Sequence, residues 1–143
     1  CMDYYRQQLK ENKIVNKKLL SKFEEYLSSI GFPEREISKN VFNAAFYINI
    51  YLTKDEIISA VKGYQEIHKF TDFFLKEATW SLLKDLQAGM NSVKLFYDCL
   101  YKSDYIDEEN YLEVARFVDK DIPEFIKKYE DNDELLLRDY VLN

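Results

Sequence analysis

Three glycines and two prolines in 143 residues constrain this chain more than any other feature. A β-sandwich or barrel must turn roughly every 8–12 residues and draws on Gly and Pro to do so. The supply here is too small for that, whereas long helices with short connections need few such residues. An apolar share of 47% rules out a disordered chain and, at this length, is enough for a real core. Twelve Tyr and ten Phe add large buried area, with hydroxyls able to reach water at the core's edge. The expected fold is all-α, a single compact bundle of about five to seven helices spanning residues 1–143.

The periodicity places the helices. A first helix runs from about Asp3 to Ile30, with Leu20, Phe23, Leu27 and Ile30 on one face and Leu19 and Tyr26 beside it. "GFPER" stops it, since Gly31 suits the left-handed position after a helix and Pro33 cannot continue one. A second helix reaches Leu52, lined by Val41, Ala45, Ile48 and Leu52 with Phe42 and Phe46 adjoining. "TKDE" then reads as a capping box, Thr53 and Glu56, that opens a third helix with Ile57, Ile58, Val61, Tyr64 and Ile67 as its stripe. "KFTDFFLKEAT" either breaks near Thr71 or continues. A fourth helix covers about Trp80 to Tyr101, seamed by Leu82, Leu86, Met90, Val93, Tyr97 and Leu100, with Gly89 permitting a close crossing. Asp107 caps "EENYLEVARFV", Asp121 with Pro123 starts another helix, and a short last one follows Asp131.

Charge is unevenly spread. Residues 1–22 carry six Lys/Arg against two Asp/Glu, and residues 81–143 carry eight against fifteen, so a chain of net charge −6 runs from +4 to −7. Residues 1–14 read as a basic helical arm and 111–143 as an acidic helical extension. The overall sign argues against wholesale phosphate binding. Cys99 sits in an apolar helical turn, where a free thiol behaves as a small hydrophobe, and Cys1, directly before Met2, reads either as an expression remnant or as the first residue of a mature lipoprotein. Two such cysteines form no disulfide framework, which points to a reducing, cytoplasmic setting. The apolar runs fall short of membrane-spanning length, so no membrane partner is expected.

The order of these signals resembles the N-terminal core-binding, SAM-like domain of tyrosine recombinases and phage integrases. "FEEYLSSIGFPEREISKNVFNAAFYINIYL" is similar to that family's first two helices, "TKDEII" sits where its third opens, and "LLKDLQAGMNSVKLFYDCLYKSDYID" looks like its closing helix with Phe96–Tyr97 as the "F-Y" pair. The likeness covers about residues 15–110. It departs in lacking Asn-Pro after the last turn and in placing Pro33-Glu34 where a capping Ser or Thr is usual. The resemblance implies a clamp over duplex DNA contacted by polar helix faces, without the family's catalytic domain. Independently, Lys84, Gln87, Asn91 and Lys94 recur at 3-4-3 opposite the fourth helix's seam, and Lys39, Asn40 and Asn43 stand on the second. Lys suits phosphates, and Asn or Gln suits base edges. These seven are the candidate DNA-binding residues.

Chemistry is expected to be absent. Tyr140 in "RDYVLN" and the lone His68 have no nucleophile, base or Arg-rich setting around them. One His excludes the usual zinc sets, and "EDNDE" lacks the Gly of a calcium loop. No catalytic residue, metal, cofactor or small-molecule substrate is called for. Two functions fit: a non-catalytic domain binding duplex DNA, and an acidic helical module or small regulator binding protein, including an inhibitor whose carboxylates mimic a DNA backbone.

Overall fold

The computed structural model describes residues 2–77 and 83–131, with Glu77 and Lys84 described by their backbone only. Among the described residues every regular element is helical. Helix α1 (Met2–Ser29) is followed by α2 (Glu34–Ala45), which continues through a π turn (Phe46–Ile50) and a 3-10 turn (Tyr51–Thr53). A 3-10 segment (Ala60–Glu66) feeds α3 (Ile67–Glu77). Then come α4 (Leu83–Lys102), α5 (Glu108–Arg116), a second π turn (Phe117–Asp121) and α6 (122–131).

Helix α4 is the hub, touching α1, α2, α3, α5 and the second π turn. Leu86, Met90, Val93, Tyr97 and Leu100 of α4 are buried at a helical 4-3-4-3 spacing, with Phe96 buried beside them. Phe23 of α1 meets Phe96 edge to face at 5.5 Å. On the other side Tyr47 and Tyr51 close on Phe70 at 5.0 and 4.9 Å, edge to face, an arrangement that aromatic quadrupoles favour.

Two helices end in the same way. Gly31 adopts φ +96°, with the Phe32 N–H donating to Leu27 O and the Gly31 N–H to Ser28 O. Asp104 adopts φ +64°, with the Tyr105 N–H donating to Leu100 O and the Asp104 N–H to Tyr101 O. Both are Schellman caps that satisfy otherwise orphaned carbonyls. The glycine one is visible in the sequence; the aspartate one is not.

The segment after α2 differs from expectation. No helix starts at Thr53: residues 54–59 are irregular, and the Thr53 hydroxyl donates back to Asn49 O at 2.6 Å, closing the helix behind it. Three tyrosines supply the reason. The hydroxyls of Tyr97, Tyr47 and Tyr51 donate to the carbonyls of Ala60, Gly63 and Glu66 at 2.7, 2.6 and 2.6 Å. Tertiary hydrogen bonds therefore fix this stretch as a tight 3-10 turn set, and they override the local capping signal.

Nor does Asp121 start a new helix. The chain runs unbroken from α5 to α6, and the Ile122 N–H donates to Phe117 O, five residues back. This widened turn lies directly ahead of Pro123, whose ring and missing N–H would obstruct a regular α turn. Helix α3 likewise continues through Thr71, so there is no break there. Phe42 points outward at 73% exposure, and the buried line of α2 is Ile37, Asn40 and Ala44 rather than Val41 and Ala45. A β carbon on Gly89 would make only ordinary contact, 3.7 Å from Phe74, so the close approach expected there is absent. Cys1, Trp80, the helix expected after Asp131 and Tyr140 lie outside the described residues.

Candidate interaction surface

Helices α2 and α4 pack through polar side chains that the sequence places on their outer faces. Ser92, 2% exposed, donates to Asn40 Oδ1 at 2.8 Å and accepts from Asn43 Nδ2 at 3.0 Å. Asn40 Nδ2 in turn donates to Glu36 O. Buried amides need such partners, and these two are consumed between the helices. Gln87 Nε2 donates to Val118 O at 3.2 Å and to Asn91 Oδ1 at 2.9 Å, while Lys94 Nζ pairs with Asp119 Oδ2 at 2.6 Å. Both reach the second π turn and hold it against α4.

The described candidate residues stand in different settings. Asn40 and Asn43 lie between α2 and α4, and Gln87 and Lys94 are tied to residues 118–119. Asn91 and Lys39 are exposed. The side chain of Lys84 is outside the description.

A different surface emerges on α1. Met2, Tyr5, Leu9, Asn12, Asn16, Leu19, Phe23 and Tyr26 recur at 3-4-3-4-3-4-3, one continuous seam along the helix. From Asn16 onward the core covers it. Asn16 is fully buried, its Nδ2 donating to Ile48 O at 3.2 Å and Asn49 Oδ1 at 2.8 Å. The first half of the seam runs on past the core, with Met2 68% and Tyr5 42% exposed. Beside it lies a shallow groove of about 500 Å³ between Tyr5, Asn12 and Val15 of α1 and Asp55, Glu56 and Ile57 of the irregular segment. The Asn12 Nδ2 facing this region has no hydrogen-bond partner among the described residues.

Alongside the seam, Arg6, Lys10, Lys13 and Lys17 recur at 4-3-4 and form a stripe about 17 Å long at 1.5 Å per residue. All four are exposed, and none is in an ion pair among the described residues. Sequence reasoning gave this segment its basic character but not this alignment. The two Asn interrupting the seam hide its register from an apolar count, and only the spacing of the cations could have revealed the stripe.

At the far end of α1 the polar groups are satisfied internally. The Tyr26 hydroxyl donates to Asp98, and Lys102 Nζ donates to Tyr26 at 3.0 Å and to Asp98 at 3.2 Å. Burial and the Asp98 hydrogen bond push the Tyr26 phenol up, and the same contacts, led by the Tyr26 hydrogen bond, push the Lys102 ammonium up. Tyr101 stacks on Tyr111 of α5 at 5.5 Å with planes 7° apart, and its hydroxyl donates to Glu108 at 2.7 Å.

The remaining groups offer little to chemistry. Cys99 is a free, buried thiol whose pKa burial pushes up, away from the reactive thiolate. His68 lies against Phe117 with ring centroids 4.3 Å apart. Among the described residues no group of three His, Cys, Asp or Glu is placed to hold a metal ion, and no helix is long and apolar enough to cross a membrane.

Comparison with protein-family models, with curated proteins and with solved structures finds no match.

Proposed function

We propose that this chain is a non-catalytic helical interaction module whose partner-binding element is the first half of α1. The observation that carries the proposal is the seam of α1, which continues past the core with Met2 and Tyr5 exposed and unpaired cations alongside. An apolar edge flanked by charge is the kind of surface that a complementary helix covers. The internal use of Asn40, Asn43, Gln87 and Lys94 moves the weight away from a polar DNA-reading face on α2 and α4.

A photocrosslinking amino acid at Tyr4, on the exposed side of the arm, tests this in cells. The module reading expects discrete protein adducts that are lost when Lys10→Glu and Lys13→Glu are added. Adducts unchanged by those substitutions, or none at all, would count against it.

Duplex DNA is the second reading, favoured by the stripe Arg6, Lys10, Lys13 and Lys17, whose spacing suits a line of phosphates. A DNA titration across salt separates the two. Binding that weakens with salt and fails in Lys10→Glu/Lys13→Glu but survives in Lys94→Glu supports DNA contact through α1. Absence of binding at about 50 mM salt removes it.

A further inference from the structure

Helix α5 presents the complement of the α1 arm. Leu112 is 53% exposed, set in a shallow groove of about 380 Å³ walled by Glu108, Glu109, Glu113 and Arg116. Residues 107–131 carry nine Asp/Glu against four Lys/Arg. An exposed leucine rimmed by carboxylates matches an apolar seam rimmed by cations, both in polarity and in charge.

The two surfaces lie toward opposite ends of α1. Helix α5 packs beside the Tyr26 end, through the Tyr101–Tyr111 stack and the Lys102–Tyr26 hydrogen bond. The arm is centred near Gln8, about 27 Å away along the helix axis at 1.5 Å per residue. One molecule cannot fold its own straight α1 back onto its own α5. Two molecules with α1 antiparallel can set each arm on the other's α5, and the reciprocal contact closes under two-fold symmetry.

We infer that the partner of the α1 arm is a second copy of this chain, docked through Met2, Tyr5 and the basic stripe onto the Leu112 groove of α5. This rests on the reading of α1 as the interaction element and names its occupant.

Sedimentation of the full chain from about 5 to about 500 µM tests it by mass action. The expected result is a monomer–dimer equilibrium that weakens between about 50 and about 500 mM salt, as pairing between exposed charges requires. Lys10→Glu/Lys13→Glu and Glu109→Lys/Glu113→Lys change only exposed side chains, and their helicity by circular dichroism should match the parent. Each alone should weaken the dimer at least about tenfold by placing like charges together. An equimolar mixture of the two variants should associate again, because each then offers the charge the other lacks. A parent that is monomeric throughout overturns the inference, as does a mixture that fails to reassociate. If the parent is monomeric while the Tyr4 crosslinker still captures a different protein, the second copy is excluded and the module reading stands. If both fail, both fall.

Discussion

Gly63 lies so close to Tyr97 that a β carbon on residue 63 would stand 2.6 Å from the Tyr97 hydroxyl oxygen, and 2.3 Å from Leu52 Cδ1. Neither neighbour can withdraw, since Tyr97 is fully buried and Leu52 nearly so. Helix propensity would favour Gly63→Ala by about 1 kcal/mol. Forcing a methyl into a packed core costs about 1–3 kcal/mol, and here it would also disturb the Tyr97 hydrogen bond. The clash should win. Urea denaturation is expected to show Gly63→Ala less stable by about 2 kcal/mol with an unchanged slope.

The hydroxyl itself contributes separately. Tyr97→Phe keeps the ring and removes the donor to Ala60 O, and Tyr47→Phe does the same to Gly63 O. Leaving a buried carbonyl without its donor costs about 1–3 kcal/mol. Each variant should lose about 1–2 kcal/mol in denaturant titration. Amide exchange should show the loss first in residues 60–66, because these bonds hold the irregular segment and not the long helices.

Those tyrosines also explain what the sequence could and could not say. The all-α class followed from so few turn residues, and the α4 seam from its own spacing. Local rules succeeded at Gly31, where backbone conformation alone selects the residue. They failed at Thr53, whose capping-box pattern is outweighed by hydroxyls arriving from residues 47, 51 and 97. They failed again at Pro123, because a π turn that absorbs a proline leaves no periodic trace. On the candidate face, a polar stripe looks the same in sequence whether it meets solvent or a neighbouring helix. Asn43 and Lys94 were separable only once Ser92 and Asp119 were seen opposite them.

That distinction gives a contrast. Ser92→Ala strips the partners from Asn40 Oδ1 and Asn43 Nδ2 in a buried setting, at a cost of about 1–3 kcal/mol. Lys94→Ala breaks an ion pair with substantial exposure on both sides, worth less than about 1 kcal/mol. Thermal melts should therefore rank Ser92→Ala well below Lys94→Ala, although the two residues are only two positions apart on α4.

The paired Schellman caps predict opposite responses to substitution. Asp104 holds φ +64° at a position where glycine is unstrained, so Asp104→Gly should stabilise by about 0.5–1 kcal/mol. At Gly31 a β carbon meets nothing within 4 Å, so any effect of Gly31→Ala comes from the backbone at φ +96°. That variant should lose about 1 kcal/mol. Chemical denaturation of the two single variants checks both signs.

Alkali should unfold this protein through its tyrosines. Burial, reinforced by Glu66, pushes the Tyr51 phenol up to about 12, and burial with Asp98 pushes Tyr111 up to about 12. Burial also pushes Tyr47 and Tyr97 well above the ordinary range. In the unfolded chain these phenols ionise near pH 10. Between about pH 10 and 12 the unfolded state therefore holds fewer protons than the native state, and stability must fall as pH rises. The stabilisation is fully present below about pH 10 and lost through the folded-state values. Urea midpoints should hold steady up to about pH 9.5 and then decline, with tyrosinate absorbance from the buried rings appearing together with the loss of helical signal. Tyr51→Phe removes one of these groups and should flatten the decline while lowering the neutral-pH midpoint, because its hydrogen bond to Glu66 O is lost as well.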